Sequence, residues 1–118
     1  MSDTRLDILK TVDNEERERD YTITHSTEEF TFLYPGTGQP CFATVVVDYR
    51  PGEHCVEMIS LKRYLQTFRE EPYYFEAIAN RLLDDLVEKI RPKRMTVTVR
   101  FTVRGGISTE VKTSVGRE

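Results

Sequence analysis

Met95-Thr96-Val97-Thr98-Val99-Arg100-Phe101-Thr102-Val103-Arg104-Gly105-Gly106-Ile107-Ser108-Thr109-Glu110-Val111-Lys112-Thr113-Ser114-Val115 decides the architecture. Apolar residues from Met95 to Val103 take every second position, the period of a strand that buries one face. Gly105-Gly106 is a turn pair, and the alternation resumes at Ile107, so the stretch predicts an antiparallel hairpin. The opposite face of its first strand, Thr96, Thr98, Arg100 and Thr102, is polar. The sheet therefore has one face built for a core and one that lacks an apolar cover.

Working upstream, Phe75, Ala79, Leu82, Leu83, Leu86, Val87 and Ile90 share one face of a helix that begins near Pro72 and stops before Pro92. Leu61, Tyr64, Leu65 and Phe68 predict a shorter helix from Ser60 to about Arg69. Phe42 to Tyr49 is β-branched and aromatic, and the turn-rich Pro35-Gly36-Thr37-Gly38-Gln39-Pro40 precedes it. Tyr21, Ile23, Phe30, Phe32 and Tyr34 read as another strand, kinked near Ser26-Thr27. The order β-β-α-α-β-β predicts an α+β domain, an antiparallel sheet with both helices on one face. Its open edges and polar face suit completion by neighbouring copies into a barrel with a wet interior. The expected domain is 21–118, preceded by a flexible, charged arm over 1–20.

Composition narrows the partners. At 118 residues the chain fits one domain with a real core. Lys+Arg 17 against Asp+Glu 20 gives a net charge of -3, and no basic cluster is long enough to neutralise a phosphate backbone, so no nucleic-acid partner is expected. No apolar run suits a membrane span, and the expected location is the cytoplasm, where Cys41 and Cys55 would be free thiols.

Phe30-Thr31-Phe32-Leu33-Tyr34-Pro35-Gly36-Thr37-Gly38-Gln39-Pro40-Cys41-Phe42-Ala43-Thr44, with Val56-Glu57, Ser60-Leu61-Lys62-Arg63-Tyr64-Leu65, Phe75-Glu76 and Arg104-Gly105-Gly106-Ile107-Ser108, resembles the short form of the 7-cyano-7-deazaguanine reductase family. The resemblance implies a tunnelling fold assembled as a homo-oligomer, a pentamer or a pair of stacked pentamers. It also implies NADPH, a deazapurine or other purine-like small molecule as ligand, and nitrile reduction on the route to queuosine. The family is metal-independent, and neither His25 nor His54 has a partner at metal-ligand spacing, so no metal is expected.

The residues depart from the family where its chemistry lies. By resemblance the nucleophilic cysteine belongs directly before the Pro-x-Thr-Gly-Gln-Pro loop, where this chain has Tyr34, and the proton-donating aspartate follows the loop, where it has Cys41. The cofactor motif appears as Glu57-Met58-Ile59-Ser60-Leu61-Lys62, with Ile59 in place of its first lysine, and the purine-holding His-Glu pair appears as Phe75-Glu76. A phenol with a pKa near 10 is about one part in a thousand ionised at neutral pH, so Tyr34 does not replace a thiolate. Cys41 is either a relocated nucleophile or a small apolar filler beside Phe42. Glu76 is the candidate anchor for a purine ring N–H or a first-turn glutamate that complements the helix dipole. Glu57 is a second pocket candidate, with Phe75 and Phe42 supplying apolar contact. Lys62, Arg63 and Arg104 are the candidates for cofactor phosphates. Three outcomes stay open: a nitrile reductase, a diverged enzyme on the same scaffold, or a non-catalytic ligand-binding or subunit-like protein.

Overall fold

The structure, a computed structural model, describes residues 5–116. In chain order it has α1 (Arg5–Ile8), β1 (Thr11–Asp13), β2 (Ile23–Leu33), β3 (Pro40–Arg50), β4 (His54–Val56), α2 (Met58–Gln66), α3 (Phe75–Ile90), β5 (Arg94–Arg104) and β6 (Ile107–Gly116). The main sheet is four-stranded, in the order β2-β3-β5-β6, and every pairing is antiparallel. Gly105 and Gly106, with φ of 56° and 79°, form the two-residue link between β5 and β6. Positive φ at both central positions gives a turn whose twist matches that of the strands. The kink expected near Ser26-Thr27 is a register shift of β2 against β3 between Thr27 and Phe30.

Alternation sorts the strands as the sequence requires. Ala43, Val45, Val47 and Tyr49 of β3 and Met95, Val97, Val99 and Phe101 of β5 are buried on one face with Phe30 and Phe32 of β2. Ile78, Ala79, Leu82, Leu83, Leu86 and Ile90 of α3 close over them, and Leu61, Tyr64 and Phe68 complete the core. Each large apolar side chain so buried stabilises the fold by about 1.5–3 kcal/mol. Arg91, in the left-handed region at φ 51°, ends α3 with its N–H on the Val87 carbonyl. The other sheet face carries the Arg94–Asp48 and Arg100–Glu110 ion pairs, at 3.2 and 2.8 Å. On it Thr96 and Thr98 are nevertheless buried, and the Thr96 hydroxyl lies 2.9 Å from that of Ser114.

The N-terminal segment differs from the loose arm expected over 1–20. Leu9 is fully buried in the core, Asn14 is buried, and β1 pairs with β4. Glu57 N–H donates to the Lys10 carbonyl and Asn14 N–H to that of Glu53. Sparse apolar residues in a charged stretch hid this, since Leu9 is satisfied by distant neighbours and not by a local pattern. Residues 1–4 and 117–118 of the two expected segments lie outside the described residues. The helix starts also shift. Met58 opens α2 before the expected Ser60, and Phe75 opens α3 after the expected Pro72, which is bridged in parallel to Leu33.

Candidate functional site

Tyr34 leaves the end of β2 into a tight loop, donating its N–H to the Gln39 carbonyl at 2.9 Å and accepting from Gly38 N–H at 3.0 Å. Gly36 and Gly38, with φ of 86° and 69°, permit that reversal. The Tyr34 ring is edge-on to those of Tyr74 and Phe75, with centroids 5.8 Å away in each case, and is 38% exposed. Phe75 stacks on Phe101 at 3.9 Å and meets Phe32 edge-on. Its ring is thus largely committed to packing within the chain, which leaves little of it for a ligand.

Cys41, opposite Phe32 in the sheet, is 3% exposed, and burial pushes its thiol up, with the Arg104 charge opposing. A thiol held this way is poorly placed to supply a thiolate. Phe42, the next residue, necessarily points to the opposite sheet face and is 51% exposed, so it does not share a wall with Phe75 within one copy. Arg104 donates to Gln39 Oε1 at 3.4 Å and to the Pro40 carbonyl, which ties the end of β5 to the same loop.

Glu76 stands exposed in the first turn of α3, and no partner among the described residues engages its carboxylate. Tyr74 at the N-cap makes no side-chain cap bond, so the first N–H groups of α3 have no capping side chain among the described residues. Glu57 is used differently. Its carboxylate caps α2, accepting from Ile59 N–H at 2.7 Å and Ser60 N–H at 2.8 Å, and these bonds hold it below the usual carboxylate range.

Lys62 and Arg63 are exposed on α2. Lys62 lies on a groove of about 600 Å³ between α2 and the edge strand β2, lined also by His25, Thr27, Phe30, Ile59 and Arg69. Met58 and Ile59 leave 64% and 58% of their surface open at its rim. Burial lowers the pKa of His25 there. No hydrogen bond, ion pair or ring contact among the described residues joins Glu57, Lys62 and Arg63 to Tyr34, Cys41, Glu76 and Arg104. The candidates thus form two clusters in one copy, one at the loop end of the sheet and one on α2.

Sequence reasoning did not single out Tyr74 or Gln39 as site residues. A tyrosine where a capping Ser or Asp is usual was the readable signal for Tyr74. Gln39 gains its place only through the fold.

The family described as QueF-like protein matches residues 40–118. The chain belongs to that family. It is 48% identical over 103 residues to the NADPH-dependent 7-cyano-7-deazaguanine reductase of Nitrosospira multiformis, covering 87% of this chain and 74% of the relative. The reductase of the same name from Rhodopirellula baltica is 43% identical over 113 residues, covering 94% and 93%. The crystal structure of an archaeosine synthase QueF-Like in its apo form shares the fold, with a TM-score of 0.76 at 21% identity over 82% of this chain and 95% of that one. The α+β tunnelling fold expected from the sequence is therefore the fold of the chain. No described helix is long and apolar enough to cross a membrane.

Proposed function

We propose that this QueF-like chain binds a planar guanine-like ring (a purine, a deazapurine or a pterin) beside Tyr34 and Glu76, and that it does not reduce nitriles through the family's thiolate route. The observation that carries this reading is Tyr34, a phenol wedged against Tyr74 and Phe75 directly before the Pro35–Pro40 loop. Nitrile attack there needs a soft anion, and a phenol oxygen is a harder nucleophile than a thiolate sulfur. Glu76 is open to accept N–H donors, and the helix start beside it favours an anionic acceptor.

The two clusters suit a pocket shared between copies, in which Phe42, Glu57 or Lys62 of one copy faces the loop end of the next. A ring of five or two stacked rings is the assembly this reading expects, and light scattering that finds a stable monomer at micromolar concentration would remove it.

NADPH fits the groove in part. A volume of about 600 Å³ falls among ordinary small-molecule sites, and Lys62 and Arg69 on its lining suit phosphates, while Ile59 offers an apolar wall where the resemblance expects a lysine. When bound, that group supplies hydride. Lys62 and Arg69 would hold its charge, and His25 and Gln66 could orient its polar edges.

A second reading, reduction of the nitrile as the names of the relatives describe, is favoured by 48% identity over 87% of the chain. One experiment separates the two. Calorimetry with 7-cyano-7-deazaguanine, guanine and a pterin, followed by the loss of NADPH absorbance in the presence of the nitrile, should give binding without turnover. Rapid NADPH oxidation would establish the second reading.

A further inference from the structure

Arg5 sits outside the region matched by the family description and carries no apolar signal, yet its side chain is only 10% exposed. Its guanidinium lies over the Phe68 ring, 4.2 Å from the centroid. Nε donates to Thr67 Oγ1 at 2.7 Å, Nη1 to the Tyr73 hydroxyl at 3.4 Å, and Nη2 to the Glu71 carboxylate. All of these partners belong to the connector between α2 and α3. A second guanidinium also engages the connector. Arg81 of α3 donates to the Tyr73 hydroxyl at 3.4 Å and to Asp85 at 2.8 Å, and the Tyr64 phenol also donates to Asp85, at 2.6 Å. Exposed ion pairs contribute little, but a part-buried fork that satisfies several acceptors orders what it binds.

The connector supports both sides of the candidate pocket. Leu33 N–H donates to the Glu71 carbonyl at 3.0 Å, and Tyr73 N–H donates to the Leu33 carbonyl at 3.1 Å. Leu33 is the residue before Tyr34. The residues that follow Tyr73 are Tyr74 and Phe75, whose rings abut Tyr34, and then Glu76. Because Tyr74 gives α3 no side-chain cap, the start of this helix is held by the connector and by packing.

We propose that Arg5 is a positioning residue of this pocket: by clamping Thr67, Glu71 and Tyr73 it fixes the distance and angle between Tyr34 and Glu76. The positioning role rests on the ligand-binding reading above, whereas the clamp itself is testable without ligand.

The test compares Arg5→Met, which keeps an unbranched stem over Phe68, with Arg5→Lys and with Tyr73→Phe. Amide hydrogen exchange is read at Leu33 and Tyr73, with Val97 and Val99 in the middle of β5 as internal reference. Affinity for 7-cyano-7-deazaguanine is measured by calorimetry. In Arg5→Met the Leu33 and Tyr73 amides should exchange about tenfold faster while the β5 amides stay within about twofold, and the Kd should rise about tenfold. Arg5→Lys should recover part of both effects, and Tyr73→Phe should show the same local pattern at smaller size. Unchanged exchange at Leu33 and Tyr73, or equal loss of protection at every amide, overturns the clamp. Faster local exchange with an unchanged Kd overturns the positioning role. A wild-type chain that binds no nitrile overturns the pocket reading, and with it the positioning role, while the exchange data still decide the clamp.

Discussion

Restoring the family's two reacting groups, by Tyr34→Cys together with Cys41→Asp, should allow a covalent thioimide to form. The first change removes a ring with two edge-on aromatic contacts, at 5.8 Å each. Such contacts contribute about 0.5–1.5 kcal/mol apiece, so Tyr34→Cys should lower the unfolding free energy by about 1–3 kcal/mol. At about 4 °C per kcal/mol for a domain of this length, the Tm should fall by about 4–12 °C. The second change places a carboxyl at a position only 3% exposed, with the Arg104 charge acting on it. Burial will favour its protonated form, and a carboxylic acid is what the reaction needs as donor. On incubation with 7-cyano-7-deazaguanine, the thiol gives up its proton to solvent, sulfur bonds to the nitrile carbon, one carbon–nitrogen π bond opens, and nitrogen takes a proton from the introduced carboxyl, which regains one from solvent. Nothing leaves, so intact-protein mass spectrometry should show a gain equal to the whole nitrile, with a new absorbance band. A folded double variant that binds the nitrile by calorimetry but forms no adduct would refute the idea that residue identity, and not loop geometry, separates this chain from the reductases. Rapid reduction by the unmodified chain, abolished by Cys41→Ser, would refute it from the other direction.

Three further outcomes follow from the same geometry. Glu76→Ala should weaken the binding of a guanine-like ligand by about 1.5–3 kcal/mol, roughly 10- to 150-fold in Kd by calorimetry, and an unchanged affinity would take Glu76 out of the site. Leu9→Ala should cost about 2–5 kcal/mol in urea unfolding, since its side chain is fully buried, whereas a truly loose arm would give close to zero. The folded pKa of Glu57 is lowered from an ordinary value of 4.5 by the two amides it caps. Its contribution is therefore fully present above that value and lost as pH falls through the folded pKa. The stability gap between wild type and Glu57→Gln, measured by urea titration across pH, should be constant at neutral pH and shrink in acid, and a gap that grows in acid would contradict the capping role.

How much of this was legible depends on whether a residue answers to its neighbours in sequence or in space. Alternation from Met95 to Val115 and the apolar face from Phe75 to Ile90 are local, and both elements form there, although α3 opens at Phe75 and not at Pro72. The kink in β2 was readable because Ser26-Thr27 breaks the period. Leu9 and Arg5 were not, because their partners lie in the core and in the α2–α3 connector. Glu57 looked like a pocket residue through family resemblance, although an acidic residue just before a helix is also a capping signal, and that is the use the structure makes of it. The separation of Phe42 from Phe75 was implicit in the alternation, since Cys41 and Phe42 are consecutive in a strand and only Cys41 is on the core face. That Tyr34 stands where the resemblance implies a cysteine was visible from the motif alone. The aromatic packing that occupies its place was not, because Tyr74 and Phe101 reach Tyr34 and Phe75 from distant elements.

The pairing of Leu33 with Glu71 and Tyr73 also bears on how the sheet meets other chains. An outer strand is a template that accepts a further strand in several registers, and flat, unguarded edges are where proteins polymerise. At the Leu33 end of β2 both outward backbone groups are already spent on the connector, and between Thr27 and Phe30 the register is broken. A strand that adds to this edge has only the stretch from Ile23 to about Thr31 to run along, and it meets a stop at Pro72. Were a strand to pair along this edge, it could slide only until it struck the connector, which would fix its register.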